Sequence, residues 1–387
     1  MEKINKTPQE IAKEDFDLKN NIYKEENQKL KSKMDEFGLE SLEKFKDDSE
    51  YFTPFMKKGI TYSQKDFEII LNAIKNKKRW AVVSGINPSG PLHLGHLALF
   101  KENLELQKLG ADVFIPVSDE ESYVFNKVKT LGEATKNAQE TVIPSLIALG
   151  YNPEKTFIFT GRDYPSVYHF AVLISKYFSL NQLKGVFGFT DDTTAGVIFY
   201  TGAVQMAHIL MPQLKEFGGP RPVVVQVGID QHPYIQVSRR FAQRIGFIPP
   251  AELVLKFLPS LQGPENKMSA SVGSTSIYLT DSVETAVKKI KTAYTGGSPL
   301  LEFQKIHGGV PDVCSVYGIL LYHITETEKS REILDNCKKG MQFCKDCKKE
   351  AVEGIEKLLT DHQKKVELSK DSYGDFMIKT PIRSISE

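Results

Sequence analysis

Two short segments, far apart in the chain, carry residues suited to handling phosphate. His93 and His96 stand three residues apart, directly after a turn rich in Gly, Asn and Pro at 85–90. This spacing places both imidazoles on one side of the first turn of a helix, where free N–H groups and the helix dipole favour anions. Lys267 begins the second segment, 267–271, within a stretch rich in Gly, Pro and Ser. An ammonium group on such a loop could close over departing pyrophosphate.

The elements around these segments alternate between strand and helix patterns. The first is an apolar run at 80–84 that ends at Gly85, which is typical of a buried parallel strand. Further strands are predicted at 112–117, 156–160 and 223–228, and helices at 92–109, 132–149 and 233–245. This alternation predicts an α/β fold with a doubly wound, Rossmann-type parallel sheet. Ligands then belong at the carboxyl ends of its strands.

The flanking regions predict a different organisation. Residues 1–78 are expected to form a charged N-terminal extension, helical in part, before a catalytic domain at 79–280. From about residue 282 the strand signals vanish and helical apolar spacing dominates, which predicts a helical domain at 281–370. Residues 371–387 lack periodicity and are expected to be a frayed tail.

Composition excludes several classes of protein. The chain has 387 residues, and its 50 Lys and Arg residues nearly balance its 49 Asp and Glu residues, so no global basic field marks a nucleic-acid binder. No stretch approaches the roughly 20 apolar residues of a spanning helix, and the first residues are polar, which predicts a cytoplasmic protein with no membrane partner. The four cysteines, all between Cys314 and Cys347, are expected to be reduced structural thiols and not metal ligands.

The two segments resemble the signatures of class I aminoacyl-tRNA synthetases, with 93–96 in the place of HIGH and 267–271 in the place of KMSKS. Alanine at the fourth position of the second signature is typical of the tryptophanyl-tRNA synthetases. The segment 228–234 resembles their Gly-x-Asp-Gln-Asp-Pro sequence. The stretches 187–191 and 199–205 resemble the part that closes the amino-acid pocket in the archaeal and eukaryotic branch. The resemblance covers about residues 80 to 360.

The resemblance implies ATP-dependent activation of tryptophan to an adenylate and its transfer to tRNA(Trp), with ATP and Mg²⁺ as cofactors. It also implies a homodimer, with a dimer-forming insertion in the catalytic domain and an anticodon-binding helical domain. The residues that it implies as catalytic are His93, His96 and Lys267. Those implied for ATP are Gly85, Gly95, Asp230, Lys267, Met268 and Ser269, and those implied for the amino acid are Glu121, Gln205, Gln226 and Gln231.

Two departures from the family pattern bear on the identity of the amino acid. Eukaryotic relatives place a Tyr at the end of the first strand and a Gln at the end of the second to hold the indole N–H. The matching positions here are Val83 and Pro116, so the hydrogen-bond partner of the indole is unidentified. A tyrosyl enzyme of the same architecture therefore stays open. A further alternative is a small-molecule nucleotidyltransferase of the HIGH type. Another is a non-catalytic RNA-binding paralogue, and the two intact signatures disfavour this last one.

Overall fold

The computed structural model describes residues 6–268 and 275–384, with the side chains of 265–267 outside the description. Its strands are β1 (Glu40–Ser41), β2 (Thr61–Lys65), β3 (Ala81–Val83), β4 (Asp112–Val117), β5 (Thr156–Thr160), β6 (Val223–Gly228), β7 (Ala251–Leu255), β8 (Pro259–Ser260) and β9 (Gly263–Lys267). Its α-helices up to the last sheet strand are α1 (Pro8–Phe37), α2 (Pro54–Lys57), α3 (Phe67–Lys75), α4 (Leu94–Lys108), α5 (Asp119–Val124), α6 (Leu131–Asn137), α7 (Ile143–Ile147), α8 (Ser166–Ser175), α9 (Leu180–Phe187), α10 (Ala195–Phe199), α11 (Gln205–Leu210) and α12 (His232–Arg244). The later helices are α13 (Val283–Thr292), α14 (Leu301–His307), α15 (Ser315–Ile319), α16 (Thr327–Lys338), α17 (Cys344–Ser369) and α18 (Tyr373–Phe376).

Seven of the described strands form one sheet in the order β1-β2-β7-β6-β3-β4-β5. The five strands from β7 to β5 pair in parallel, whereas β1 and β2 add an antiparallel edge. The chain leaves β3 towards β4 on one side and β6 towards β7 on the other. The order therefore reverses between β3 and β6, which is where a doubly wound sheet opens a ligand crevice. The predicted α/β fold is confirmed.

Alternation along the strands divides the core between the two faces of the sheet. Val82, Val113 and Ile115 belong to the apolar cluster on the side of α4. Val83 and Phe114 belong to the cluster on the side of α8, α11 and α12. Neighbouring residues in a strand face opposite ways, so each central strand is apolar on both faces. That pattern is why these strands read in the sequence as continuous apolar runs.

The N-terminal region is integrated into the fold. Helix α1 contacts the helical domain, where Phe16 meets Phe303 edge to face with centroids 5.9 Å apart. Its Lys19 Nζ donates to the carbonyl of Gly297 at 2.6 Å. Strands β1 and β2 then extend the main sheet from within the predicted extension 1–78. The sequence did not reveal β2 because its residues are mostly polar, and the proposed domain boundaries remain predictions.

The predicted frayed tail is wrong for the residues up to 384. Phe376, Ile378 and Ile382 are buried. Tyr373 Oη donates to Asp163 Oδ2 at 2.9 Å. Apolar residues without helical periodicity still pack when the chain runs in an irregular path over a surface, which a periodicity argument does not detect.

Two further features concern the predictions about membrane spans and cysteines. In the described part of the chain one helical run, Ala195–Gln213, is long and apolar enough to cross a membrane, but 67% of its apolar window is buried inside the protein. It forms one wall of the central crevice.

The four cysteines are all free and line one cavity of about 20 Å³ in the helical domain.

Candidate active site

The structure brings the two signature segments together. The N–H of Leu94 donates to the carbonyl of Ile277 at 3.0 Å, and the N–H of Leu279 donates to Leu92 at 2.8 Å. The start of the first signature is therefore paired with the chain that follows the second.

Met268, the second residue of the KMSKS-like segment, also reaches the first signature. It is buried, and its Cβ lies 3.8 Å from the place where a Cβ on Gly95 would stand. Ser269 lies outside the described residues, as does the side chain of Lys267.

His93 and His96 build the start of α4 as well as facing one side of it. His93 is the N-cap residue, and its Nδ1 accepts from the N–H groups of Gly95 at 3.1 Å and His96 at 3.4 Å. His96 Nδ1 accepts in turn from the N–H of His93 at 3.3 Å. The two rings stack with centroids 3.7 Å apart. Because Nδ1 accepts in both neutral rings, the proton of each ring lies on Nε2.

Gly95 has a geometric reason separate from its implied role in ATP binding. A Cβ at this position would lie 2.9 Å from His93 Cε1. Any side chain there would push the capping ring away, so the glycine protects the paired-histidine cap. The capping role of His93 is compatible with a phosphate site at the same helix start.

A buried carboxyl group on helix α4 also connects this helix to neighbouring elements. Glu102 accepts from Thr53 Oγ1 at 2.8 Å and from Thr61 Oγ1 at 3.0 Å. Desolvation raises the pKa of Glu102 to about 8, although the two hydroxyl groups oppose the rise. The group therefore links α4 to β2 in its neutral form at physiological pH, which avoids a buried charge.

A cavity of about 470 Å³ opens at the carboxyl ends of β3, β4 and β6, where the strand order reverses. Six of the predicted residues line it together, namely Gly85, His96, Glu121, Gln205, Gln226 and Gln231. Gly85 is required for close packing, since a Cβ there would lie 3.0 Å from Pro116 Cγ. His93 and Gly95 lie at the start of α4 and Met268 packs against it, and none of the three lines this cavity.

Part of the cavity wall, called here the polar lining, consists of Glu121, Gln205 and Gln231. Glu121 Oε1 accepts from Asn87 Nδ2 and pairs with Lys127 Nζ, each at 3.4 Å. Desolvation raises the pKa of Glu121, whereas Lys127 and hydrogen bonds from Asn87 and Gln205 lower it. A cation placed in the cavity would therefore stabilise the carboxylate.

Another part, called here the apolar lining, consists of Val83, Pro116, Ile209 and Val225. His208 lies beside it and is 6% exposed. Burial lowers the pKa of His208 to about 3, so the imidazole is neutral. The sequence reasoning missed this residue, although its position three residues after Gln205 on a helix was a usable signal.

Asp230 is not brought into the same cavity. It follows β6 in a short 3₁₀ turn with Gln231, but it lines a second cavity of about 570 Å³ beside α1. The turn is fixed by His232, which replaces the Asp of the family pattern. Its Nδ1 lies 2.8 Å from Glu252 Oε2, and its ring stacks on Phe37 of α1 with centroids 4.4 Å apart.

Comparison with known proteins gives one consistent result. Residues 75–360 match the family of class I tRNA synthetases for tryptophan and tyrosine. The chain is 38% identical to the tryptophan–tRNA ligase of Methanocaldococcus jannaschii, over 88% of this chain and 93% of that protein. It is 35% identical to the ligase of the same name from Pyrobaculum calidifontis, over 85% of this chain and 87% of that protein.

The solved structures agree with the sequence relatives. The tryptophanyl-tRNA synthetase of Aeropyrum pernix superimposes with a TM-score of 0.81 at 32% identity, covering 90% of this chain and 96% of that one. A tryptophanyl-tRNA synthetase from Encephalitozoon cuniculi bound to tryptophan gives a TM-score of 0.80 at 25% identity, covering 89% of this chain and 96% of that one.

Proposed function

The chain belongs to the class I tRNA synthetases for tryptophan and tyrosine, and we infer that it is a tryptophan–tRNA ligase, which activates tryptophan with ATP and transfers it to tRNA. The observation that carries this inference is the 38% identity to an archaeal tryptophan–tRNA ligase across 88% of the chain. The alternatives of a tyrosyl enzyme and a small-molecule nucleotidyltransferase have no comparable support.

The first step joins the carboxylate of tryptophan to the α-phosphorus of ATP. A carboxylate oxygen forms the new bond to phosphorus, the bond from the α-phosphorus to the bridging oxygen breaks, and pyrophosphate leaves with the electron pair. No nucleophile from the protein is needed, so catalysis consists of positioning and charge stabilisation. His93 and His96 are suited to this because their Nε2–H groups can donate to phosphate oxygens. Lys267 would neutralise the leaving pyrophosphate.

Magnesium enters this scheme with the nucleotide. Within the described residues no group of three or more His, Cys, Asp or Glu side chains is arranged to hold a metal ion. Mg²⁺ prefers phosphate oxygens and water in nucleotide sites. The ion is therefore proposed to arrive as MgATP, with its ligands coming mainly from the triphosphate and water.

The polar lining would hold the groups that all amino acids share. Glu121 is suited to the ammonium group, which would take over the stabilising role that Lys127 has in the structure. Gln205 and Gln231 supply amide groups for the remaining polar atoms of the amino-acid backbone. A homodimer, with tRNA held by the helical domain, completes the proposal and follows from family membership.

The proposed function is tested by charging. The full chain is incubated with ATP, total archaeal tRNA and each of radiolabelled tryptophan and tyrosine, and acid-precipitable label is counted. We expect tryptophan to be attached to tRNA, and periodate-oxidised tRNA to accept none because its terminal diol is destroyed. Attachment of tyrosine alone would contradict the proposal.

A further inference from the structure

The apolar lining leaves a chemical problem that the proposed function makes specific. Tryptophan differs from other aromatic amino acids by its indole N–H, and burying that donor without an acceptor is unfavourable. Val83 offers no polar side-chain atom. Pro116 offers only a carbonyl, which already accepts from the N–H of Ile86 at 2.9 Å. An acceptor must come from another part of the wall.

Two buried polar side chains in the wall of this cavity carry an atom without a hydrogen-bond partner among the described residues: His208 at Nε2, and Gln226 at both amide atoms. Both residues are buried. Atoms this deeply buried have almost no surface in the cavity, so in His208 the nitrogen that can reach a ligand is Nδ1, which likewise has no hydrogen-bond partner among the described residues. Gln205 Oε1 is also unpaired, but this residue belongs to the polar lining.

Strand alternation distinguishes His208 from Gln226. Val83, Phe114 and Val225 belong to the cluster on the α11 side of the sheet. Pro116 is two residues after Phe114 and therefore faces the same side. Gln226 follows Val225 directly and faces the α4 side instead. The apolar lining and helix α11, which carries His208, thus share one side of the sheet.

The ring of His208 is fixed by its neighbours. It meets the ring of Phe159 edge to face with centroids 5.6 Å apart, and the ring of Tyr200 in the same manner at 6.3 Å. Two aromatic contacts hold the imidazole plane at low entropic cost. A ring held in this way presents its nitrogen atoms in defined directions, which is what a selective hydrogen bond requires.

We propose that His208 accepts the indole N–H of tryptophan and thereby selects tryptophan over other aromatic amino acids, a role that rests on the proposed function. Burial keeps the imidazole neutral, since it lowers the pKa of His208 to about 3. A neutral imidazole always retains one unprotonated nitrogen, so the ring can accept a hydrogen bond at physiological pH. His208 thus supplies the acceptor that Val83 and Pro116 cannot.

The test compares tryptophan with β-(benzothiophen-3-yl)alanine, in which sulfur replaces the indole N–H with little change of shape. Tryptophan-dependent and analogue-dependent pyrophosphate exchange give a ratio of kcat/KM values. In the wild-type chain we expect tryptophan to be preferred by about 10- to 100-fold, the range for a buried polar group left unpaired. In His208→Phe we expect the ratio to fall to within about 3-fold of one, mainly through a higher KM for tryptophan.

Three further variants keep the result specific. His362→Phe is the matched control, because His362 is also buried with an unpartnered Nε2 but lies in α17, away from the cavity; its ratio should match the wild type. His208→Asn keeps an acceptor and should recover part of the preference, and it also serves if His208→Phe does not fold. Collapse of the ratio in Gln226→Leu, with His208→Phe unchanged, would overturn the proposal.

Failure of the proposed function and failure of the role of His208 give different results. If the wild-type chain does not activate tryptophan, the proposed function is wrong. If it activates tryptophan and discriminates against the analogue, but His208→Phe and His208→Asn keep the full ratio, only the role of His208 is wrong.

Discussion

The polar lining and the apolar lining of the central cavity differ in how they relate to the family pattern. Glu121, Gln205 and Gln231 occupy the positions that the resemblance predicts, and the structure places them around one cavity. The apolar lining instead has Val83 and Pro116 at the two positions where the resemblance implies the Tyr and Gln of eukaryotic relatives. Under the proposed function, the groups common to all amino acids are assigned to these three residues of the polar lining. The group unique to the substrate is then assigned to a residue elsewhere in the wall.

The two linings also differ electrostatically. The polar lining contains a carboxyl group whose pKa is raised by desolvation. A cation bound beside it would therefore stabilise its ionised form. The apolar lining is accompanied by an imidazole that burial holds neutral. In the proposed scheme, charge drives the binding of the ammonium group, whereas a single neutral hydrogen bond selects the ring. This separation can be broken by substitutions that affect one lining and not the other.

The largest effect is expected from His96→Ala, which acts on neither lining. Loss of one donor to the developing phosphate charge should lower kcat for pyrophosphate exchange by about 10²- to 10³-fold. The loss should be equal for tryptophan and the benzothiophene analogue, because both use the same ATP chemistry. Thermal unfolding serves as the control for folding. A loss confined to one of the two amino acids would contradict the separation.

Glu121→Gln should act on the polar lining alone. We expect KM to rise about 10- to 100-fold for tryptophan and the analogue alike, since a charge-assisted hydrogen bond to the ammonium group is lost. Steady-state exchange kinetics measure this rise. An altered ratio between the two amino acids would show that Glu121 also selects the ring.

The same variant should change stability in a pH-dependent way. Folding raises the pKa of Glu121, so the native state binds the proton more tightly and loses stability as pH rises from about 4.5 through the raised pKa. Glutamine removes that loss. In urea unfolding, Glu121→Gln should therefore gain relative to the wild type between pH 4 and pH 8. A relative loss over that range would contradict the raised pKa.

A smaller effect is expected from a substitution in the C-terminal segment, which packs in the same apolar cluster as the apolar lining. Ile382 is 5% exposed and belongs to the cluster that contains Val83 and Val225. Ile382→Ala should lower the free energy of unfolding by roughly 2 kcal/mol, at the low end for buried isoleucine. Ile306→Ala is the matched control, because Ile306 is 77% exposed. Equal effects in urea titrations would contradict the packing of this segment.

The smallest effect is expected from Glu216→Gln. In the wild type, Glu216 holds the same C-terminal segment through hydrogen bonds. Partial desolvation raises the pKa of Glu216, but hydrogen bonds from Ser384 and the N–H of Arg383 outweigh it and lower the pKa from 4.5 to about 2. The wild type should therefore be the more stable protein above about pH 4.5, by less than ~1 kcal/mol for a partly exposed group. The advantage should disappear as pH falls through about 2. Glu302→Gln, at an exposed pair, is the control.

Much of the fold could be predicted from the sequence. Long apolar runs mark the strands of the parallel sheet, and glycines mark the ends of its strands and helices. The run at 112–117 and its buried strand coincide, as does the strand at 156–160. Strand β2 was missed because its residues are mostly polar and show no such pattern, and β7 was not singled out. The C-terminal segment escaped because its apolar residues pack in irregular backbone, where no period exists to detect.

The site was predictable where chemistry is tied to local spacing. His93 and His96 form a pair within one helical turn, so their stacking follows from their separation. The spacing of His208 from Gln205 places it on the same helix but does not assign its role, which depends on strand alternation and on a ring without a hydrogen-bond partner among the described residues. Asp230 lines a different cavity from Gln231 because adjacent residues in a turn face different directions.

The most direct test of the account is pyrophosphate exchange by the full wild-type chain with tryptophan, tyrosine and phenylalanine tested singly. The account predicts exchange with tryptophan and, for a pocket that pairs the indole N–H, kcat/KM values at least about 100-fold lower for the other two. Exchange with tyrosine equal to or faster than exchange with tryptophan would contradict it.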